Sequence, residues 1–295
     1  MSLAKLLPLA IEAALMLMVL SLGLKATFAD LFYLFRRPGQ LMRALLSMDV
    51  IVPLIAVLLA SRFAREAPVK IALVTLALAP LPATFPKKAL KAGCKVSYTV
   101  GLMAAITLVA IVFIPIALEL ISRTFGITVQ MSAAAIWQLV FVSLLVPLVA
   151  GVLIHHMAAA FADRVAKPVA RTADIVLIAA GIPIAIRVLP ALWSLVGDGT
   201  VVVLLIFALL ALASGHLLGG PDPEDRTVLA LSSSFRHPGI ALAIAHANFP
   251  DQKLAPAAVI MYVALSGIAA KPYLLWLGRR QKRDAGVMSV PDASP

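Results

Sequence analysis

The residues best suited to chemistry stand together at 232–242, which read SSSFRHPGIAL. Three serines, Phe235, Arg236 and His237 precede a Pro-Gly pair and an otherwise apolar helical stretch, ALAIAHANF. Proline has no N–H and opens a helix, and the helix that starts after it offers unpaired N–H groups at its positive dipole end. Such an end binds anions, and a guanidinium beside it adds a fixed positive charge. The pattern indicates an anion site.

This segment lies in a chain whose composition is typical of an integral membrane protein. Of its 295 residues, 62% are hydrophobic and 13% are charged, whereas soluble domains are about half apolar and about a quarter charged. We find nine apolar runs of the length that a membrane-crossing helix needs: about 7–25, 44–61, 68–92, 95–121, 132–156, 172–195, 200–219, 226–249 and 255–277. The sequence predicts an all-α integral membrane protein with a single transmembrane domain (1–283) and a polar cytoplasmic tail (284–295).

The net charge of +11 fits an orientation in the membrane better than nucleic-acid binding. With nine spans and a cytoplasmic C-terminus, sixteen Lys and Arg residues fall inside and six fall outside, as the positive-inside rule requires. The inside set is Lys25, Arg36, Arg37, Arg43, Lys87, Lys88, Lys91, Lys95, Arg164, Lys167, Arg171, Arg226, Arg279, Arg280, Lys282 and Arg283. We therefore expect a multi-pass protein of the bacterial inner (plasma) membrane, with its N-terminus outside and with no nucleic-acid partner.

Two of the nine spans are interrupted in the same way. The third carries LALAPLPATFPKKAL (76–90) and the eighth carries LALSSSFRHPGIAL (229–242). Each begins Leu-Ala-Leu and later gives Pro-x-x-Ala-Leu, at Pro86 and at Pro238, about half a chain apart. Five spans separate the two copies, so they run in opposite directions. This pattern predicts an inverted-repeat secondary transporter in which two broken helices cross and form the site.

Each candidate substrate residue also has a structural interpretation. Placing a charge at the middle of a span costs at least about 2.5–3.5 kcal/mol on insertion scales. This cost favours a role of Arg236 in substrate binding, although an ion pair that locks two helices is the alternative. His237 is either a pocket residue or a satisfied polar side chain, and Lys87 either faces the site or reaches the interface like Lys88 and Lys91. The predicted substrate set is Arg236, His237, Lys87, Thr84, Ser233, Ser234 and Gly239.

Two further residues, a carboxylate in the second span and the cysteine, limit the other chemistry that the chain can carry out. Asp49 in SMDVIVP either pairs with Arg236 or Lys87, or titrates and carries a coupling proton. Cys94 is the single cysteine of the sequence, which excludes an internal disulfide and a multi-cysteine metal site. We predict no cofactor. Asp174 and Lys271 are expected near the membrane interfaces, and Arg187 is expected on the face of the cavity.

Three stretches resemble the bile acid:sodium symporter family. They are VLSLGLKATFADLFYLFRRPGQL (19–41), APLPATFPKKALKAG (79–93) and SSSFRHPGIALAIAHANF (232–249). The resemblance extends over about 7–279 and implies a core domain (about 44–121 and 200–277) that carries both broken helices. It also implies a panel domain (about 7–25, 132–156 and 172–195) that moves against the core. The family's usual first helix has no counterpart here.

The resemblance also implies a sodium site, and this chain departs from it. The family's Ser-Asn pair corresponds to Thr84-Phe85, its Glu to Ser232 and its Gln to Arg236. Thr99 retains a hydroxyl of the family pattern, so Asp49, Ser232 and Thr99 are the predicted coupling residues. The weak candidates for sodium ligands in this chain are Thr84, Thr99, Ser232 and Ser233. A guanidinium in this place supplies a positive charge without an ion, because arginine stays protonated.

We predict a secondary transporter, not an enzyme, that moves a small organic carboxylate by alternating access and has no strict sodium requirement. Its partners are that anion and the lipid bilayer, and either sodium or a proton remains as the coupling ion. The alternatives are a sodium-coupled symporter of bile-acid-like anions, a channel, an intramembrane enzyme and a structural protein. A channel needs a continuous polar pore, and an enzyme needs a nucleophile with a base or clustered carboxylates.

Overall fold

The computed structural model describes the backbone of residues 3–125 and 130–288, together with the side chains of 6–124 and 130–279. Every regular element in these ranges is a helix. The first six are α1 (Leu3–Gly23), α2 (Phe28–Leu31), α3 (Pro38–Arg62), α4 (Ala67–Leu78), α5 (Phe85–Lys91) and α6 (Val96–Phe125). The others are α7 (Ala133–Met157), α8 (Ala159–Ser194), α9 (Thr200–Leu218), α10 (Pro223–Ser234), α11 (Pro238–Asn248) and α12 (Ala255–Met288).

The predicted all-α membrane architecture is confirmed. Eight segments of the described chain are long and apolar enough to cross a membrane, and they coincide with eight of the nine predicted spans. The remaining span, the third, is divided into the short helices α4 and α5, so neither half crosses by itself. On α8, large apolar side chains such as Ile178, Ile182 and Ile186 are exposed. Exposed side chains of this kind suit hydrocarbon better than water. The chain is a multi-pass membrane protein.

The helices pack in two groups. In one, α1 lies against α7 and α8; in the other, α3, α4 and α9 to α12 pack together. Close crossings depend on glycine, because a Cβ on Gly23 would lie 2.4 Å from Leu148 O and one on Gly215 would lie 2.3 Å from Leu229 O. The first group contains the helices expected for the panel and the second contains most of those expected for the core, whereas α6, also expected in the core, contacts helices of both groups. The division into moving domains stays a prediction, as does the inverted repeat.

Proline explains where the first broken helix stops and where the second half of the other one begins. The helix α4 ends at Leu78, and Ala79, which precedes Pro80, takes an extended conformation with ψ 139°. In the same way His237, which precedes Pro238, has ψ 105° between α10 and α11. A residue before proline is pushed out of the helical region by the proline ring, so α4 ends before Pro80 and α11 begins at Pro238. The helix α10 has already ended at Ser234, because Phe235 is extended with ψ 120°. The breaks lie where the sequence predicts them.

The C-terminal region is only partly described. The helix α12 extends to Met288, so residues 284–288 of the predicted polar tail continue this helix. Residues 289–295 of that tail lie outside the described residues.

Candidate substrate and ion site

The two breaks are in direct contact. The backbone N–H of His237 donates to Pro80 O at 2.8 Å, which joins the segment between α10 and α11 to the segment between α4 and α5. The neighbouring Arg236 is 3% exposed and reaches across the same junction. Its Nη1 donates to Ala79 O at 3.3 Å. The helix breaks therefore meet and hydrogen-bond to each other through both backbone and side chain.

The Arg236 guanidinium is held by three backbone carbonyls from three different helix ends or irregularities. Besides Ala79 O, its Nη2 donates to Met48 O at 2.9 Å and its Nε donates to Ser233 O at 3.2 Å. Carbonyl oxygens at helix C-termini form the negative end of the dipole. The arginine thus occupies a cluster of oxygens, the Arg236 carbonyl cluster (Met48 O, Ala79 O and Ser233 O), that has the character of a cation site.

Each of these carbonyls is open for a reason that can be traced to the chain. In α3, residues Leu46–Ile51 form a π-helical turn in which Val52 N–H donates five residues back, to Ser47 O. The same register would pair residue 53 with Met48 O, but Pro53 has no N–H. Ser233 O loses its helical partner because His237 N–H donates to Pro80 O instead. Ala79 O is open because α4 has ended.

Among the described side chains, no carboxylate is in hydrogen-bonding contact with the guanidinium of Arg236. The ion pairs among the described side chains are Lys87–Asp174, Lys95–Asp222 and Arg123–Glu119. Asp49 lies next to Met48 and within electrostatic range of Arg236, but its Oδ2 is buried without a hydrogen-bond partner. The alternatives in which Asp49 forms a direct ion pair with Arg236 or with Lys87 do not match this arrangement. Its role as a coupling group stays a prediction.

The serines of the break fix α10 in the core. Ser233 Oγ is 2.8 Å from Ser47 Oγ, Ser234 Oγ donates to Ala208 O at 3.1 Å, and Ser232 Oγ donates to Leu229 O at 2.9 Å. All three are buried. Tyr262 Oη donates to Ser234 O at 2.6 Å. These hydroxyls are therefore committed to packing contacts, and the predicted roles of Ser232, Ser233 and Ser234 in substrate or ion binding remain untested.

His237 caps the second half-helix. Its Nδ1 accepts a hydrogen bond from Ile240 N–H at 3.3 Å, so in the neutral ring the proton is on Nε2. That Nε2 is buried and has no partner among the described residues. Gly239 lies beside the ring, where a Cβ would be 3.2 Å from His237 Cε1. The ring therefore caps α11 with one nitrogen and leaves a buried donor without an acceptor on the other.

Lys87 lies in a second place, a cavity of ≈ 440 Å³ between α1, α5 and α8. Ala83 and Pro86 from the first break also line this cavity, and Lys87 forms an ion pair there with Asp174. Arg236 is not among the described lining residues, so the predicted substrate residues divide between the crossover and the cavity. Thr84, half-buried, forms the N-cap position of α5 without a side-chain hydrogen bond.

Two other predicted positions are satisfied or distant. Thr99 is buried in α6, where its Oγ1 donates to Lys95 O at 2.8 Å. Arg187 is exposed on α8 and is not among the described residues that line the 440 Å³ cavity. In the part of the chain with described side chains, no group of His, Cys, Asp or Glu residues is arranged to hold a metal ion.

Sequence reasoning missed two members of the site. The first is the carbonyl of Met48, for which the signal was Pro53 placed five residues later in an apolar helix. The second is Asp174, which pairs with Lys87 across the boundary between the two helix groups. Its signal was a carboxylate in the register of Lys167 and Arg171 on one face of α8.

Outside the spans, one ion pair fixes the start of α10. Asp222 accepts hydrogen bonds from Glu224 N–H and Asp225 N–H at the helix N-cap, and Lys95 Nζ lies 2.5 Å from its Oδ2. The hydrogen bond from Lys95 lowers the pKa of Asp222 below its ordinary value, and the same contact raises the pKa of Lys95. The carboxylate is therefore ionised in the neutral range.

The apolar spans, together with two broken helices that meet at open carbonyls and a half-helix N-terminus, are typical of a secondary transporter. The family model described as the Sodium Bile acid symporter family matches residues 12–192, more than half of the chain, so the chain belongs to that family. It is a membrane transporter of the bile acid:sodium symporter type. The match includes the first break but not the second, which carries Arg236. A search of curated proteins gave no match.

Proposed function

We propose that the protein is a secondary active transporter that moves a small organic carboxylate by alternating access and does not strictly require sodium. The anion binds at the crossover of the broken helices. There the α11 N-terminus, His237 Nε2 and the backbone beside Gly239 face it. The protein lies in the bacterial inner membrane, with its N-terminus outside and its C-terminus in the cytoplasm, as the excess of cytoplasmic Lys and Arg favours.

One observation carries the proposal against sodium. Arg236 donates to Met48 O, Ala79 O and Ser233 O, the open carbonyls at the crossover. Unwound backbone carbonyls and half-helix C-termini coordinate the coupling Na⁺ in transporters with discontinuous helices. A guanidinium stays protonated in proteins and satisfies these oxygens with its own N–H groups. The cluster is therefore filled by a cation that belongs to the protein, and like-charge repulsion opposes a second cation beside it.

Uptake by purified protein in proteoliposomes tests this proposal. Radiolabelled small carboxylates are offered with Na⁺ inside and outside, and again with choline in its place at constant ionic strength. We expect equal initial rates in the two buffers for any carboxylate that is transported. A steep requirement for Na⁺ would refute the proposal and support the sodium-coupled symporter. Arg236→Ala and Arg236→Lys are both expected to lose most of the specific uptake, because an ammonium does not reproduce three contacts of a planar fork.

A proton is the coupling ion that remains, and Asp49 is the group proposed to carry it. Its carboxylate lies in the π-helical turn of α3, next to the carbonyl that binds Arg236, and one of its oxygens is buried and unpaired. We expect uptake to depend on pH in the wild type and to lose that dependence in Asp49→Asn. Glu66→Gln, at the N-cap of α4 and away from the crossover, is the matched control. An unchanged pH profile in Asp49→Asn would remove Asp49 from the mechanism.

A further inference from the structure

The charged side chains that line the cavity beside the first break are mainly positive. Lys25 follows α1, Lys87 and Lys91 lie on α5, and Lys167 and Arg171 lie on α8. Asp174 is the one acidic residue among its described lining residues. The volume of ≈ 440 Å³ is within the range of small-molecule sites, which is about 300–1,000 Å³. The cavity is therefore large enough for a ligand and strongly cationic.

The ion pair between Lys87 and Asp174 accounts for one of the five cations. The other four have no carboxylate among the described lining residues. Two pairs of these cations have members four residues apart on the same face of a helix, Lys87 with Lys91 on α5 and Lys167 with Arg171 on α8. At this spacing like charges destabilise a helix. A protein that keeps this repulsion in a cavity gains from an anion that enters it.

The cations belong to both helix groups. The helix α5 follows the first break, and Ala83 and Pro86 of that break line the cavity, so a molecule bound there lies next to the crossover. Lys167 and Arg171 face it from α8, and Lys25 faces it from the end of α1. An anion with a single carboxylate can neutralise one side of this cavity. Two or three carboxylates on one small molecule can bind α5 and α8 together.

We propose that the transported anion is a soluble di- or tricarboxylate and that this cavity binds it on the cytoplasmic side before it reaches the crossover. The proposal rests on the proposed function and narrows its substrate class. One carboxylate is bound by Lys91 on α5, and another by Lys167 and Arg171 on α8. Arginine binds a carboxylate in a two-pronged contact, so Arg171 contributes the most to specificity. Met18, Leu22 and Leu90 line the rest of the cavity and contact the carbon chain.

Binding to the purified full-length protein tests the number of charges. Isothermal titration calorimetry at pH 7.5 compares butanoate, succinate and propane-1,2,3-tricarboxylate. We expect affinity to rise about tenfold with the second carboxylate, and the gain to shrink as salt is added, because the lysines are exposed and screened. Equal affinity for butanoate and for the other two probes would overturn the inference and leave carboxylate transport intact. Failure of all three to bind, combined with no uptake, would instead overturn the proposed function.

Charge-removing variants test the location. Arg171→Gln and Lys167→Gln should each weaken tricarboxylate binding about threefold to tenfold and flatten its salt dependence, while butanoate binding changes less than about twofold. Arg171→Lys should restore part of the affinity. Arg164→Gln is the matched control, since Arg164 is an exposed arginine two turns earlier on α8 and is not among the described lining residues. Equal losses in Arg164→Gln and Arg171→Gln would overturn the assignment.

The same cations also suit the phosphates of a lipid headgroup, and a third arm separates the two sources. Tricarboxylate binding is measured in phosphatidylcholine nanodiscs with and without phosphatidylglycerol, at roughly one lipid in five. Binding that is unchanged within about twofold supports the soluble ligand. Loss of tricarboxylate binding in the discs that contain phosphatidylglycerol would show that a lipid headgroup fills the cavity. This result would overturn the proposal.

Discussion

We expect sodium to stabilise the protein once the Arg236 guanidinium is deleted, and not before. In Arg236→Ala the carbonyls of Met48, Ala79 and Ser233 lose their donor. A buried acceptor left unsatisfied costs about 1–3 kcal/mol. The variant no longer buries the guanidinium charge, and this gain offsets part of the cost of the three unsatisfied carbonyls. We therefore expect a net loss of about 3–5 kcal/mol, the scale seen when one side of a buried charged contact is removed.

Sodium can recover part of that loss, because the emptied cluster presents three oxygens from helix ends. A site offered Na⁺ at about ten times its Kd gains about 1.4 kcal/mol of folding stability. Thermal unfolding of purified protein, followed by tryptophan fluorescence, is measured in NaCl and in choline chloride at one ionic strength. We expect no difference for the wild type and a higher unfolding temperature in NaCl for Arg236→Ala. Arg236→Gln serves if the alanine variant expresses poorly.

Arg226→Ala is the matched control. Its guanidinium also donates to a backbone carbonyl, Gly220 O, through Nε at 3.0 Å and Nη2 at 2.7 Å, but it contacts one carbonyl and not three. This variant should gain no sodium dependence. If Na⁺ stabilises the wild type as much as Arg236→Ala, or if it stabilises neither, the reasoning that Arg236 occupies a cation site is refuted.

Other predictions concern packing and the start of α10. Gly215→Ala places a Cβ 2.3 Å from Leu229 O and should lower stability by about 1–3 kcal/mol. Gly267→Ala, which has open space around it, should be neutral or should stabilise the protein by up to about 1 kcal/mol. Equal unfolding temperatures of the two variants would contradict the close crossing at Gly215. Asp222→Ala should lose about 1 kcal/mol as a helix cap and Asp222→Asn less, since asparagine also caps. Lys95 lowers the pKa of Asp222 in the folded state. The wild type should therefore be more stable than Asp222→Asn above pH 3.8, the ordinary pKa of aspartate, and this difference in stability should disappear as the pH falls through the lower pKa of the folded state. Unfolding temperatures measured over an acid pH series would show this.

The transmembrane fold was largely predictable because its signals are local. Apolar run length defines a span, and proline with adjoining polar residues defines a break, so both breaks were placed from the letters alone. Pro80 indicates where α4 ends and Pro238 indicates where α11 begins, whereas no proline marks the end of α10 at Ser234. The grouping of α1 with α7 and α8 required the family resemblance, since apolar helices carry little information about which neighbours they choose.

The site was predicted less completely because its contacts depend on backbone atoms. A sequence shows that Arg236 is at membrane depth, but its partners are carbonyls, which every residue has. Only the π-helical turn and Pro53 distinguish Met48 O from its neighbours. Lys87 and Arg236 looked like parts of one anion site because each stands in a break. Which side of its helix each one faces depends on tertiary packing, and only the structure separates them.

If the proposed cycle runs without sodium, the arginine in the carbonyl cluster also determines its electrical balance. A sodium ion crosses with its substrate and cancels charge, whereas Arg236 is covalently attached and stays in place. An anion that crosses without a cation makes the cycle electrogenic. A potential that is negative inside then acts on the substrate with about 2.3 kcal/mol per elementary charge per 100 mV. Unless protons accompany the substrate in equal number, the resting voltage drives it out of the cell, and a di- or tricarboxylate feels this force two or three times over.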